Sequence, residues 1–235
     1  MKIIKSKDQY YCTSPDKAEF FQMIKYIPED RQSEFEQSLN GLYKIINSVI
    51  RALSIVIEKR DPYTARHQRR VSSLAFALAK EMDLSPEKME GIRRIGLIHD
   101  IGKIAIPTAI LNKPGLINEH EFNLIKAHPQ AGYDILKEID FPWPVAEAIL
   151  QHHERLDGSG YPQGLRNRDI ILEARILAVA DVVESISSFR PYRQSLGLKF
   201  SLEEIFNKRG VLYDKDAVDA CLRLFNENNF DFSIV

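Results

Sequence analysis

From Phe35 onward, apolar side chains fall at Phe35, Leu39, Leu42, Ile46, Val49, Leu53 and Val56, a 4-3-4-3-4-3 spacing that predicts a long helix with a heptad seam. Two readings fit this seam. It can pair two copies of the chain across 35–57, or the helix can pack on its own domain, a reading favoured by the wider stripe that Ile45, Ile50, Ile55 and Ile57 create. Asp61-Pro62 closes this helix and opens the next, because proline disfavours helical geometry in the residue before it and fits a first helical turn. Further helix starts are read at Ser85-Pro86, at the capping boxes Asn118–Glu121 and Ser201–Glu204, and at Asp214. Glycine and proline cluster in two loops, at 107–117 and 157–169. No alternating pattern of comparable length competes, so the chain reads as all-α. We divide it into a segment 1–34 (linker or remnant of an upstream sensor, with a short strand in 3–11 and a polar helix after Ser14), a long helix 35–60, and a helical domain 61–235.

Composition narrows the function classes. The chain has 235 residues, 44% of them hydrophobic, enough for one large core, and its net charge of −1 supplies no basic field for a DNA or RNA polymer. Cys12 and Cys221 lie far apart and read as packing residues in a reducing compartment. The N-terminus is too polar for a signal peptide. The most apolar stretch, 45–57, is broken by Asn47, Ser48, Arg51 and Ser54, so no membrane segment is expected and the location expected is cytoplasmic.

The chemistry lies in five of the six histidines: His67, His99 in His-Asp-Ile-Gly-Lys, His128 in Ala-His-Pro, and the pair His152-His153. One such histidine is commonly a core residue with a satisfied ring. Five of them, with Asp100 and Asp181, favour a centre of two cations, in which a carboxylate bridges and neutral imidazoles complete each sphere without repelling a phosphate.

The string from His152 to Leu165 (HHERLDGSGYPQGL), with His99-Asp100 and the later Asp181, resembles the HD-GYP branch of the HD phosphohydrolases. The match extends through Asp61-Pro62-Tyr63-Thr64, Lys113-Pro114-Gly115, His128-Pro129 and Arg190-Pro191-Tyr192-Arg193, about residues 58–228. The resemblance implies an HD-domain helical bundle, with His67, His99, Asp100 and Asp181 on one metal and Asp100, His128, His152 and His153 on the other. Tyr63 stands where some members carry a glutamate for a third metal, so two are expected, iron or manganese first and zinc next. It further implies a phosphodiesterase that opens cyclic di-GMP to linear pGpG, with onward cleavage to GMP allowed, in second-messenger signalling that can involve an upstream sensor or a GGDEF-type partner.

On this reading Asp100 and Lys103 are catalytic. Lys103, Arg155 and the loop residues Gly160, Tyr161 and Pro162 meet the substrate, and Asp157 shapes the loop. Departures from the family's pattern are Thr108 after Ile-Pro, Glu184-Ser185 in place of Asp-Ala, and Arg66 and Gln68 around His67. The competing readings are an HD phosphohydrolase for another nucleotide such as cyclic GMP-AMP, and a binding module that keeps the fold without turnover. A purely structural bundle would need the whole histidine and aspartate set to be incidental.

Overall fold

The computed structural model describes residues 4–6, 9–11, 29–60, 62–113, 115–188, 196–228 and 230–232. The expectations for Cys12, for a helix after Ser14, for the side chains of 61–65 (Tyr63 among them), for Pro114 and for the Arg190–Arg193 string lie outside the described residues. The chain divides into two compact units, Met1–Val49 and Ile50–Val235.

In the first unit, strands β1 (Ile4–Ser6) and β2 (Gln9–Tyr11) form an antiparallel hairpin with Ile4 opposite Tyr11. Helix α1 (Glu29–Arg60) begins in this unit and ends in the second, and Ile50, Ser54 and Ile57 form its buried face. The expected seam is therefore split: Ile46 and Leu53 are half-buried, whereas Leu42, Val49 and Val56 stay exposed together with Ile45. By length and composition alone, 33–60 is long and apolar enough to cross a membrane, a test that a packed amphipathic helix also meets.

Among the described residues, the elements of the second unit are helical: α2 (Pro62–Glu81), α3 (Pro86–Ile98), a 3-10 turn at Ile101–Ala105, α4 (Thr108–Leu111), α5 (Glu119–Ile125), α6 (His128–Leu136), α7 (Val145–Gln151), a second 3-10 turn at Asn167–Asp169, α8 (Leu172–Ser187), α9 (Leu198–Asn207) and α10 (Lys215–Asn226). The centre of the bundle is α8. Ala174, Ile176, Leu177, Val179, Ala180 and Val183 are buried around much of its circumference, and it packs on α2, α7, α9 and α10. An all-round apolar helix of this kind must sit in the core, which brings Asp181 and Glu184 inside with it.

The helix starts follow local chemistry. Ser85 caps α3 by accepting from the Lys88 amide, Asn118 and Glu121 close a reciprocal box on α5, and Asp214 accepts from the Asp216 and Ala217 amides. The expected box at Ser201 is not a start. The helix begins three residues earlier, after Gly197 at φ 85°, and Ser201 Oγ donates back to the Leu198 carbonyl, so a glycine ahead of Leu198 overrides the Ser-x-x-Glu signal. At Gly102, an added Cβ would lie 1.8 Å from the His128 carbonyl oxygen and 2.5 Å from the Gly132 amide. That contact sets how closely the His99–Lys103 segment approaches α6.

Candidate metal centre

His99 caps the C-terminus of α3, Asp100 follows, and the chain tightens into the 3-10 turn that carries Lys103. His128 opens α6, His152 ends α7 with His153 behind it, Asp181 comes from α8 and His67 from α2. Five elements thus bring together all seven residues expected to hold metal. Among the described residues, three overlapping groups have ligand atoms mutually within 4.8 Å: His67, His99 and Asp181; His128, His152 and His153; and, joining them, His99, Asp100 and His152.

Asp100 faces both outer groups. Its Oδ2 lies 3.5 Å from His99 Nε2 and 3.8 Å from His67 Nε2, while Oδ1 lies 3.4 Å from His128 Nε2. Asp181 Oδ1 is 3.1 Å from His67 Nε2, and Oδ2 is 4.0 Å from His153 Nδ1. Three histidines turn Nδ1 onto the carbonyl three residues earlier: His99 on Gly96, His128 on Ile125 and His152 on Ile149. A ring donating through Nδ1–H keeps its lone pair on Nε2, which in each case points inward.

Electrostatics support the same set. Burial pushes His128 down to about 4 and His152 down to about 3, and it also lowers His99 and His153. The rings are therefore neutral, as ligands must be. Burial alone would raise Asp100, but Lys103 and the surrounding histidines outweigh it and hold the carboxyl well below the usual range; for Asp181 the His67 hydrogen bond does the same. His99 Nε2 is buried with no hydrogen-bond partner. An orphaned acceptor, inward-facing lone pairs and a nitrogen-oxygen donor set fit divalent cations.

Lys103 Nζ donates to Asp100 Oδ2 at 2.5 Å and is part-buried. The Arg155 guanidinium bonds the Glu154 carbonyl at 2.7 Å and lies over the Tyr213 ring at 5.2 Å, so it is tethered beside the centre. Tyr161 stacks on His153 with ring centroids 4.8 Å apart, and Lys126 lies 5.9 Å from the same tyrosine ring. Gly160 is packed against backbone: an added Cβ would be 2.4 Å from Glu154 Cα and the Arg155 amide. Pro162, exposed, follows a cis peptide bond. Asp157 accepts from the amide and hydroxyl of Ser159, the local role expected of it.

Two residues important to this arrangement were given no role from sequence. Glu154, 2% exposed, accepts from the amides of Gln163, Gly164 and Leu165 and so clamps the far arm of the loop to the end of α7. Glu184, noted only as a departure, meets His67 Nδ1 at 2.5 Å. Its signal was its position, one turn after Asp181 on the same helix face.

A family model described as HD domain matches residues 51–217. The cyclic di-GMP phosphodiesterase response regulator RpfG of Xanthomonas campestris is 41% identical over 188 residues, covering 79% of this chain and 50% of that protein. The 3'3'-cGAMP-specific phosphodiesterase 1 of Vibrio cholerae is 40% identical over 173 residues, covering 74% of this chain and 39% of that one. The chain thus spans about half or less of these relatives. Among solved structures, an HDG"Y"P protein from Bdellovibrio bacteriovorus superposes with a TM-score of 0.54 at 20% identity, over 90% of this chain and 68% of that one, a likeness of fold.

Proposed function

This chain belongs to the HD domain family, in its HD-GYP branch, and on that premise we propose that it is a metal-dependent phosphodiesterase that hydrolyses cyclic di-GMP to linear pGpG. The observation that carries this reading is the division of Asp100, one oxygen toward His67 and His99 and the other toward His128. His67, His99 and Asp181 would hold one divalent cation and His128, His152 and His153 the other, with Asp100 shared. Iron or manganese suits this thiolate-free set, and zinc comes next. When bound, the cations would supply Lewis acidity and, at neutral pH, the hydroxide that attacks phosphorus.

The chain's own groups do the rest. Neutral rings keep the ligand set from repelling a phosphodiester. Lys103 shares Asp100 Oδ2 with a cation position, and ceding that oxygen leaves its ammonium for a nonbridging phosphate oxygen, where negative charge grows during attack. Arg155, fixed on backbone carbonyls, adds positive field near the site, and the Gly160-Tyr161-Pro162 loop, with Tyr161 over His153, forms the substrate-side wall. A cytoplasmic enzyme that associates through the exposed row on α1, under an upstream sensor or a GGDEF-type partner, fits this reading. Light scattering that gave a monomer at high concentration would remove the dimer from it.

A cyclic GMP-AMP hydrolase is the second reading, favoured by the identity with the Vibrio cholerae enzyme. Parallel anaerobic assays of both cyclic dinucleotides with iron- or manganese-loaded protein separate the two. Faster opening of cyclic di-GMP supports the proposal. Opening of cyclic GMP-AMP alone supports the second reading, and turnover of neither by fully loaded protein leaves a binding module.

A further inference from the structure

The histidines of the centre are supported by different means. His99, His128 and His152 rest on backbone carbonyls of their own helical turns, at 2.8, 2.7 and 2.6 Å, which no neighbouring side chain can remove. His67 instead meets a carboxylate from another helix, Glu184 on α8. Glu184 is 1% exposed, and its second oxygen accepts from Ser188 Oγ at 2.6 Å and lies 3.7 Å from Arg70 Nη1. Arg70 in turn donates to Ser188 Oγ at 3.0 Å. One residue on, Ser185 Oγ donates to Asp181 Oδ1 at 3.1 Å. The side chains that brace His67 and Asp181 thus stand at the two α8 positions where this sequence departs from the family's usual Asp-Ala.

We propose that Glu184 is the positioning residue for His67, so that the cation position served by His67 and Asp181 depends on α8 side chains and empties first when Glu184 is lost, while the position served by His128, His152 and His153 stays filled. The inference rests on the metal-centre reading above. A carboxylate on Nδ1 fixes the tautomer, aims Nε2 and makes the ring a better donor. Removing such a support weakens metal binding by about 10–100-fold. Because His99, His128 and His152 keep their carbonyl partners, that loss falls on the position His67 serves.

The test is a titration of the full metal-free chain with Mn²⁺ alone, read by bound-metal count and by electron paramagnetic resonance. The wild-type chain is expected to bind two ions with an exchange-coupled spectrum. Glu184→Met keeps length but removes the acceptor. It is expected to hold one ion as before and the second about 10–100-fold more weakly, with the hyperfine pattern of an isolated ion at limiting metal. Glu184→Gln restores a neutral acceptor and is expected to recover most of the lost affinity. If the methionine variant fails to fold, Ser188→Ala removes one hydrogen bond from Glu184 and is expected to weaken the same position several-fold. Two ions bound with wild-type affinity in a folded variant, or both weakened together, would overturn the inference alone. A wild-type chain that takes up no Mn²⁺ would overturn the metal-centre reading and the inference with it.

Discussion

The ligand-bearing turns and the loop 158–164 solve the same problem in different ways. At His99, His128 and His152, each ring and the carbonyl that orients it lie three residues apart, so the ligand and its support belong to one short stretch of chain. In the loop, the orienting group is Glu154, and the amides it holds come nine, ten and eleven residues later. A turn that supplies its own support is tied to few other residues. The far arm of the loop, three of whose amides meet one buried carboxylate, leans on a side chain outside its own turn. The difference predicts that damage to the turns removes metal, whereas damage to Glu154 leaves metal in place and alters how substrate is held.

The largest effect is expected at Asp100, which the proposal places between both cation positions. Asp100→Ala should bind neither ion tightly and lose turnover by roughly 10³-fold or more, since metal-ion catalysis contributes several kcal/mol; metal analysis with an assay on the same sample checks it. Next is Gly102→Ala. Its methyl would overlap the His128 carbonyl, and overpacking of this kind costs about 1–3 kcal/mol. Calorimetry should show a lowered melting temperature together with weaker metal binding, because α6 is displaced with its ligand.

Glu154→Ala sharpens the comparison from the other side. Three amides lose a charged acceptor, each such bond being worth about 1.5–3 kcal/mol. The metal count should stay unchanged while KM rises about tenfold or more, by roughly the worth of one such bond; an equal loss of metal would erase the distinction between turns and loop.

The smallest effect concerns pH. In the unfolded chain a histidine takes a proton below about 6.5, whereas the folded rings of His128 and His152 stay neutral down to about 4 and about 3. Below pH 6.5 the unfolded state therefore binds more protons, and the metal-free protein should lose stability as pH falls. For two rings the loss is on the order of 1 kcal/mol between about pH 7 and pH 6. Melting temperatures measured across that interval without metal test the sign.

The residues that cluster at the proposed metal centre were legible in the sequence because most stand in short motifs whose chemistry is local. The supports from α8 were not. Glu184 reaches His67 across 117 residues, and only the packing of α8 against α2 brings them together. Helix starts capped by a side chain, at Ser85, Asn118 and Asp214, could be read directly, while Ser201 misled because a glycine at 197 set the start of α9. On α1, periodicity announced an apolar helix but did not tell its buried face, Ile50, Ser54 and Ile57, from its exposed one. An amphipathic stripe wide enough for two partners carries no label for either.

The most direct test of the central claim is a crystal of manganese-loaded protein measured at a wavelength where manganese scatters anomalously. Two peaks are predicted, one beside Asp100 Oδ2 within reach of His67, His99 and Asp181, the other beside Oδ1 within reach of His128, His152 and His153. A single peak, or peaks away from Asp100, would contradict the account.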